Sequence, residues 1–196
     1  MKEGVKMNML NEVILLMIIG ISSYFDLKER KIPNKITFVG ILIGILINSY
    51  LGGGTGLLRA VLGMFLGLAI FFIPFAMGGM GAGDVKLMGA IGALMGWRFS
   101  VMTALYSAIV GGVMVLLYLL YTGKLLETLK KMLYALINFL LQFAIRLGYN
   151  ETVYKAHERF SKNGQEYKKI YIPYGVAIAG GAVLVLIAYK QGFPIF

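Results

Sequence analysis

The sequence predicts an all-α polytopic membrane protein, six transmembrane helices plus an interfacial amphipathic helix. Three observations carry this reading. Hydrophobic residues make up 59% of the chain and charged ones only 14%, against about a quarter charged in a soluble domain. Apolar runs of near membrane length recur from one end to the other. The 19 Lys and Arg gather in alternate connections, as they do in cytoplasmic loops. Lipid offers unpaired backbone groups no partner, so each run is expected to be helical. The 196 residues suit a single transmembrane domain over 1–196, of about six spans at roughly 20 residues each.

The first run, 9–25, follows Lys2 and Lys6 and imitates a secretory signal. It ends in Phe25-Asp26 and a basic cluster, not in small residues suited to cleavage, so it reads as a retained helix. Runs at 36–51 and 57–77 flank the turn sequence Gly52-Gly53-Gly54-Thr55-Gly56. A shorter run at 85–96 passes through Gly96-Trp97-Arg98 into another at 99–121, and the last is 172–189. Pro33 and Pro173 stand where helices start, because a missing N–H costs nothing there.

Residues 124–149 are built differently. Lys124, Thr128, Lys131, Asn138, Gln142 and Arg146, completed by Ala135, fall on one helical face, while Leu, Met, Ile and Phe fill the others. That is the pattern of a helix lying in the interface. With the polar, basic stretch after it, this helix makes a cytoplasmic segment over 124–170.

Charge sets the orientation. With the N-terminus outside, the segments 26–35, 78–86 and 122–171 face inward and hold fourteen of the 19 Lys and Arg. The other five are Lys2, Lys6, Arg59, Arg98 and Lys190. The bias predicts a multi-pass protein of the plasma or inner membrane with both termini outside. The formal net charge of +10 then marks loops that meet anionic head groups of the bilayer, and no nucleic acid is expected as a partner. The chain has no cysteine and a single histidine, His157. Thiolate metal sites, histidine clusters and cysteine nucleophiles are excluded, so no metal and no cofactor is expected.

The remaining chemistry lies in two carboxylates. Asp26 and Asp84 are the only aspartates in the chain, and the topology puts Asp26 at the inner end of helix 1 and Asp84 at the inner start of helix 4. Two carboxyls on one membrane face suit acid–base hydrolysis, in which one accepts a proton from water and the other polarises a carbonyl. Asp84 follows a glycine-rich stretch, residues 78–83. Gly81 and Gly83 there let the backbone bend and let a substrate or a helix approach without a Cβ in the way. Lys86 is placed to touch substrate or a carboxylate, although such a lysine more often reaches to head groups. Tyr174 reads as an interface aromatic and the 12 methionines as packing. Asp84 opens a helix and Asp26 closes one, which predicts that Asp84 is the base and Asp26 the acid.

The same residues carry a resemblance. Gly81-Ala82-Gly83-Asp84 followed by Val85-Lys86-Leu87 resembles the GxGD motif of type IV prepilin peptidases and the related archaeal preflagellin peptidases. The segment DLKERKIPN, residues 26–34, is similar to the one that carries that family's first catalytic aspartate. The segment IPYGVAIAGG, residues 172–181, is similar to the family's opening of the last helix. The resemblance implies a membrane-embedded aspartic endopeptidase with Asp26 and Asp84 as the catalytic pair. It would remove a short cationic leader from pilin-like precursors, whether prepilin, pseudopilin or preflagellin (archaellin), at the cytoplasmic membrane face. The common bacterial members add an N-terminal part with paired, zinc-binding cysteines associated with N-methylation. Without that length or any cysteine, this chain is expected to be a peptidase-only member with no methyltransferase activity.

Two other readings stand beside it. One is a different GxGD intramembrane protease, of the presenilin or signal-peptide-peptidase type; their Pro-Ala-Leu motif is absent. The other is a non-catalytic membrane subunit of a pilus assembly or transport system. A transporter would favour acidic residues near mid-membrane.

Overall fold

The structure, a computed structural model, describes residues 8–146 and 173–193. Among these residues every regular element is helical. They fall into two compact units, one drawn from residues 1–114 and 172–196 and the other from 115–171. The helices are α1 (Met9–Glu29), α2 (Asn34–Ala76), α3 (Ala82–Met95), α4 (Trp97–Tyr121), α5 (Leu125–Arg146) and α6 (Tyr174–Lys190). Three of them, α1, α2 and α4, are long and apolar enough to cross a membrane. Large apolar side chains such as Leu42, Leu62, Phe65, Phe72 and Ile109 are exposed around the first unit, an outer surface only lipid would tolerate.

The two runs expected at 36–51 and 57–77 are continuous in α2, broken only at Gly53, whose φ of 54° and ψ of −136° are not helical. Glycine reaches that backbone geometry without the steric cost a Cβ would bring. The chain reverses there: a Cβ on Gly56 would overlap the carbonyl of Asn48. The two limbs of α2 therefore lie against each other as an antiparallel hairpin.

Helix α3 fills the groove of that hairpin. On one limb Gly40 faces Ala90 and Gly44 faces the backbone of Ala93 and Leu94; on the other, Gly63 meets the carbonyl of Gly92 and Gly67 that of Met88. The glycines stand in GxxxG spacing at 40–44, 63–67 and 92–96, the arrangement that lets helix backbones touch in lipid. Eleven of the 14 residues of α3 are buried.

At about 1.5 Å per residue the helix is roughly 21 Å long, shorter than the roughly 30 Å hydrocarbon core. Its last carbonyls are accordingly taken by side chains. Asn11 Nδ2 donates to Leu94 O (3.0 Å), Asn48 Nδ2 to Ala93 O (2.9 Å) and Leu94 O (3.0 Å), and Arg59 Nη2 to Met95 O (3.2 Å). These bonds answer the general cost of leaving helix ends unpaired.

Helix α6 runs antiparallel to both α1 and α4. Gly175 lies beside Asp26 at one end, and at the other Lys190 pairs with Glu12 at 2.9 Å. Gly181 abuts Ser107, and the Tyr174 ring covers Gly111. Leu15, Leu87, Met88, Ile91, Phe99 and Ile178 are among the side chains that close the core between these helices.

In the second unit, α5 spans most of the segment expected to be amphipathic. Leu129, Met132, Leu133, Leu136, Phe139 and Leu140 are exposed, and Lys131 pairs with Glu127 at 2.6 Å. The side chains of Gln142 and Arg146, His157 and the stretch 147–172 lie outside the described residues.

Candidate active site

Asp26 sits one turn inside α1. The helix continues to Glu29 and stops at Arg30, whose left-handed backbone (φ 53°) returns its N–H to the carbonyl of Asp26 at 3.1 Å. The chain then turns through Lys31 and Ile32 to Pro33, the N-cap of α2. Asp84 lies in the first turn of α3, three residues after the N-cap Gly81. Both aspartates are buried, at 2% and 7% exposure. The turns that carry them are linked by Ile32, which lies against Gly83 beside Asp84 and against Gly175 beside Asp26. The two aspartates of the sequence, 58 positions apart by their numbers, thus lie on either side of Ile32 at one end of the first unit.

Each carboxyl is held by backbone. The Gly81 N–H donates to Asp84 Oδ2 at 3.1 Å, so Asp84 satisfies the start of its own helix from the third position and not as the cap itself. The Gly175 N–H donates to Asp26 Oδ2 at 2.7 Å. Gly175 is the second residue of α6, so Asp26, near the C-terminus of its own helix, reaches across to the N-terminus of another. Both carboxyls therefore meet N-terminal amides. Helix dipoles thus do not divide base from acid in the way each aspartate's own helix alone predicts.

Ile32 lies between the two first turns. A Cβ on Gly83 would stand 3.0 Å from Ile32 Cβ, and one on Gly175 would stand 3.1 Å from Ile32 Cδ1. Gly83 thus gives room to a neighbouring segment of the same chain. Gly81 has φ −84° and ψ 154°, angles open to any residue, and what it contributes is its N–H. The residue that bends the 78–83 stretch in the left-handed region is Gly78, at φ 75°.

Lys86 turns to α2. Its Nζ donates to Asn34 Oδ1 at 2.9 Å and stands 5.5 Å from the centre of the Phe38 ring. This ties the start of α2 to the first turns of α3. Tyr174 is half-buried, its ring against Gly111.

Sequence reasoning singled out Asp26, Asp84, Gly81, Gly83 and Lys86. The sequence alone gives no part to Gly175, Ile32 or Asn34, and in it Tyr174 reads as an interface aromatic. All four lie in the two segments whose resemblance was noted, 26–34 and 172–181, and that was the available signal. Among the described residues no cluster of His, Cys, Asp or Glu is arranged to hold a metal.

The profile of the type IV leader peptidase family matches residues 13–116, just over half of the chain and including both aspartates. The chain belongs to the type IV leader peptidase family.

Curated members similar to it are named prepilin leader peptidase/N-methyltransferase. One from Legionella pneumophila is 30% identical over 111 residues, covering 54% of this chain and 39% of that protein. Another, from Aeromonas hydrophila, is 33% identical over 99 residues, 47% of this chain and 34% of the relative. A third, from Pseudomonas putida, is 32% identical over 96 residues, 45% and 33%. The chain spans between a third and two fifths of the length of these relatives. No solved structure matches it. The leader peptidase match ends within α4, so α6 and the Gly175 bond to Asp26 lie beyond it.

Proposed function

We propose that the protein is a membrane-embedded aspartic endopeptidase that removes the short cationic leader from type IV pilin-like precursors at the cytoplasmic membrane face. The observation that carries this is the placing of Asp26 and Asp84 around Ile32 at one end of the unit, both buried and each with one oxygen held by a backbone N–H. Neighbouring carboxyls do not readily ionise together. The ionised one takes a proton from water as the water oxygen attacks the scissile carbonyl carbon, and the protonated one donates to the carbonyl oxygen. Collapse of the tetrahedral diol breaks the C–N bond, and the leaving amine departs with a proton returned by the carboxyl pair.

Incubating the purified chain with a panel of prepilin, pseudopilin and preflagellin precursors, read by mass spectrometry, tests the proposal. Cleavage at a single bond after a basic leader is the expected result; intact precursors throughout would defeat it.

Two further outcomes are expected. With no cysteine and one histidine, cleavage should proceed unchanged in EDTA and in thiol-alkylating reagents. Loss in EDTA that zinc restores would show the chemistry to be different. The charge bias of the loops predicts a reporter fused after residue 54 to lie outside the cytoplasm and one after residue 123 to lie within it. A cytoplasmic signal from 54 would invert the topology and put the aspartates on the other face.

A further inference from the structure

We infer that Gly175, in the first turn of α6, is a positioning residue for the Asp26 carboxyl, so that the last helix supplies a third working part of the site. The inference rests on the reading of Asp26 and Asp84 as the peptidase pair, and it adds a residue that acts through one of them.

The geometry leaves little slack around Gly175. Its N–H donates to Asp26 Oδ2 at 2.7 Å in a buried setting. A Cβ at this position would stand 2.8 Å from that same oxygen, 3.1 Å from Asp26 Cγ and 3.1 Å from Ile32 Cδ1. The carboxyl cannot yield without losing the bond. Ile32 cannot yield freely either, because its other side is pressed against Gly83 in the first turn of α3. Only glycine leaves room for carboxyl and amide to meet at this distance.

The donor is also fixed from behind. Helix α6 is held along its length by Gly181 against Ser107, by the Tyr174 ring on Gly111 and by the Lys190–Glu12 pair. A donor on a packed helix holds its partner more tightly than one on a loop. With Oδ2 held by α6, the rotation of the Asp26 carboxyl about its last bond is set, and Oδ1 is presented in a defined direction. That is preorganisation: the orientation is settled before substrate arrives. The donor is a backbone amide, so it stays a donor at every working pH.

The test replaces Gly175 in the full-length protein by glycolic acid, an amide-to-ester exchange that removes the N–H and adds no Cβ; Gly175→Ala accompanies it. The expected result for the ester variant is a kcat reduced about tenfold to a hundredfold, the range for losing a hydrogen bond to a charged group, with KM little changed. A second readout does not depend on cleavage. The chain has only two aspartates, so carbon-13 aspartate in an Asp84→Asn background makes Asp26 the only labelled carboxyl in the infrared spectrum. The ester exchange should shift that band. An ester variant with undiminished kcat, or an Asp26 band that stays in place, would overturn the inference. A shifted band in a protein that cleaves no precursor would instead defeat the peptidase reading while leaving Gly175 as the residue that orients Asp26.

Discussion

Asp26→Asn and Asp84→Asn each lower precursor cleavage by about 10²–10⁴-fold, the usual worth of a positioned acid or base, while the protein still inserts and folds. Asparagine is the informative replacement. It keeps a carbonyl oxygen that can accept from the Gly175 N–H at position 26 or from the Gly81 N–H at position 84. It cannot take a proton from water, nor donate one in the manner of a carboxylic acid. Alanine would in addition leave a buried amide unpaired, at a cost of about 1–3 kcal/mol, and would mix stability with chemistry. The double variant should be no worse than the weaker single one, since the carboxyls act as a unit. Cleavage of a purified precursor, with thermal stability measured in parallel, decides the matter. Appreciable activity in either single variant removes the aspartic mechanism. Pilus assembly that continues in the double variant would favour the non-catalytic platform.

Gly92→Leu destabilises the protein by about 3 kcal/mol, at the top of the usual range for overpacking, and cleavage falls with it. Any Cβ at Gly92 overlaps the carbonyl of Gly63, and one at Gly63 overlaps that of Gly92. These obstacles are backbone, so no rotamer change relieves them. Helix α3 would have to leave the groove of α2, taking Asp84 with it. Gly20→Leu is the control, because nothing lies within 4 Å of a Cβ there and the added side chain faces outward. Denaturation in detergent micelles measures the difference. Equal stability of the two variants would mean that α2 and α3 do not pack through these glycines.

The helices were legible in the sequence because lipid makes helix formation a local matter. A run of apolar residues with no water to bond its backbone must satisfy that backbone within itself. Hence the ends of α4 and α6 fall within two residues of the expected 99–121 and 172–189. The two aspartates were legible for a similar reason, since a carboxylate at the edge of an apolar run has few structural excuses. Where sequence reasoning went less far, contact was the missing knowledge. It took Asp26 as the close of a helix, when Arg30 ends that helix one turn later and the carboxyl turns toward α6. It separated the two aspartates by their own helix dipoles, when both meet N-terminal amides.

The sequence by itself determined a helical membrane protein and singled out Asp26 and Asp84 as its candidate pair. Only the tertiary structure decided that α3 lies in the groove of α2, that Ile32 stands between the two aspartate-bearing turns, and that Gly175 holds Asp26. The physical reason lies in how helices associate in lipid. Apolar side chains gain little by leaving it, so partners are chosen by where backbones can touch. Among 26 glycines, a linear pattern does not say which one faces which.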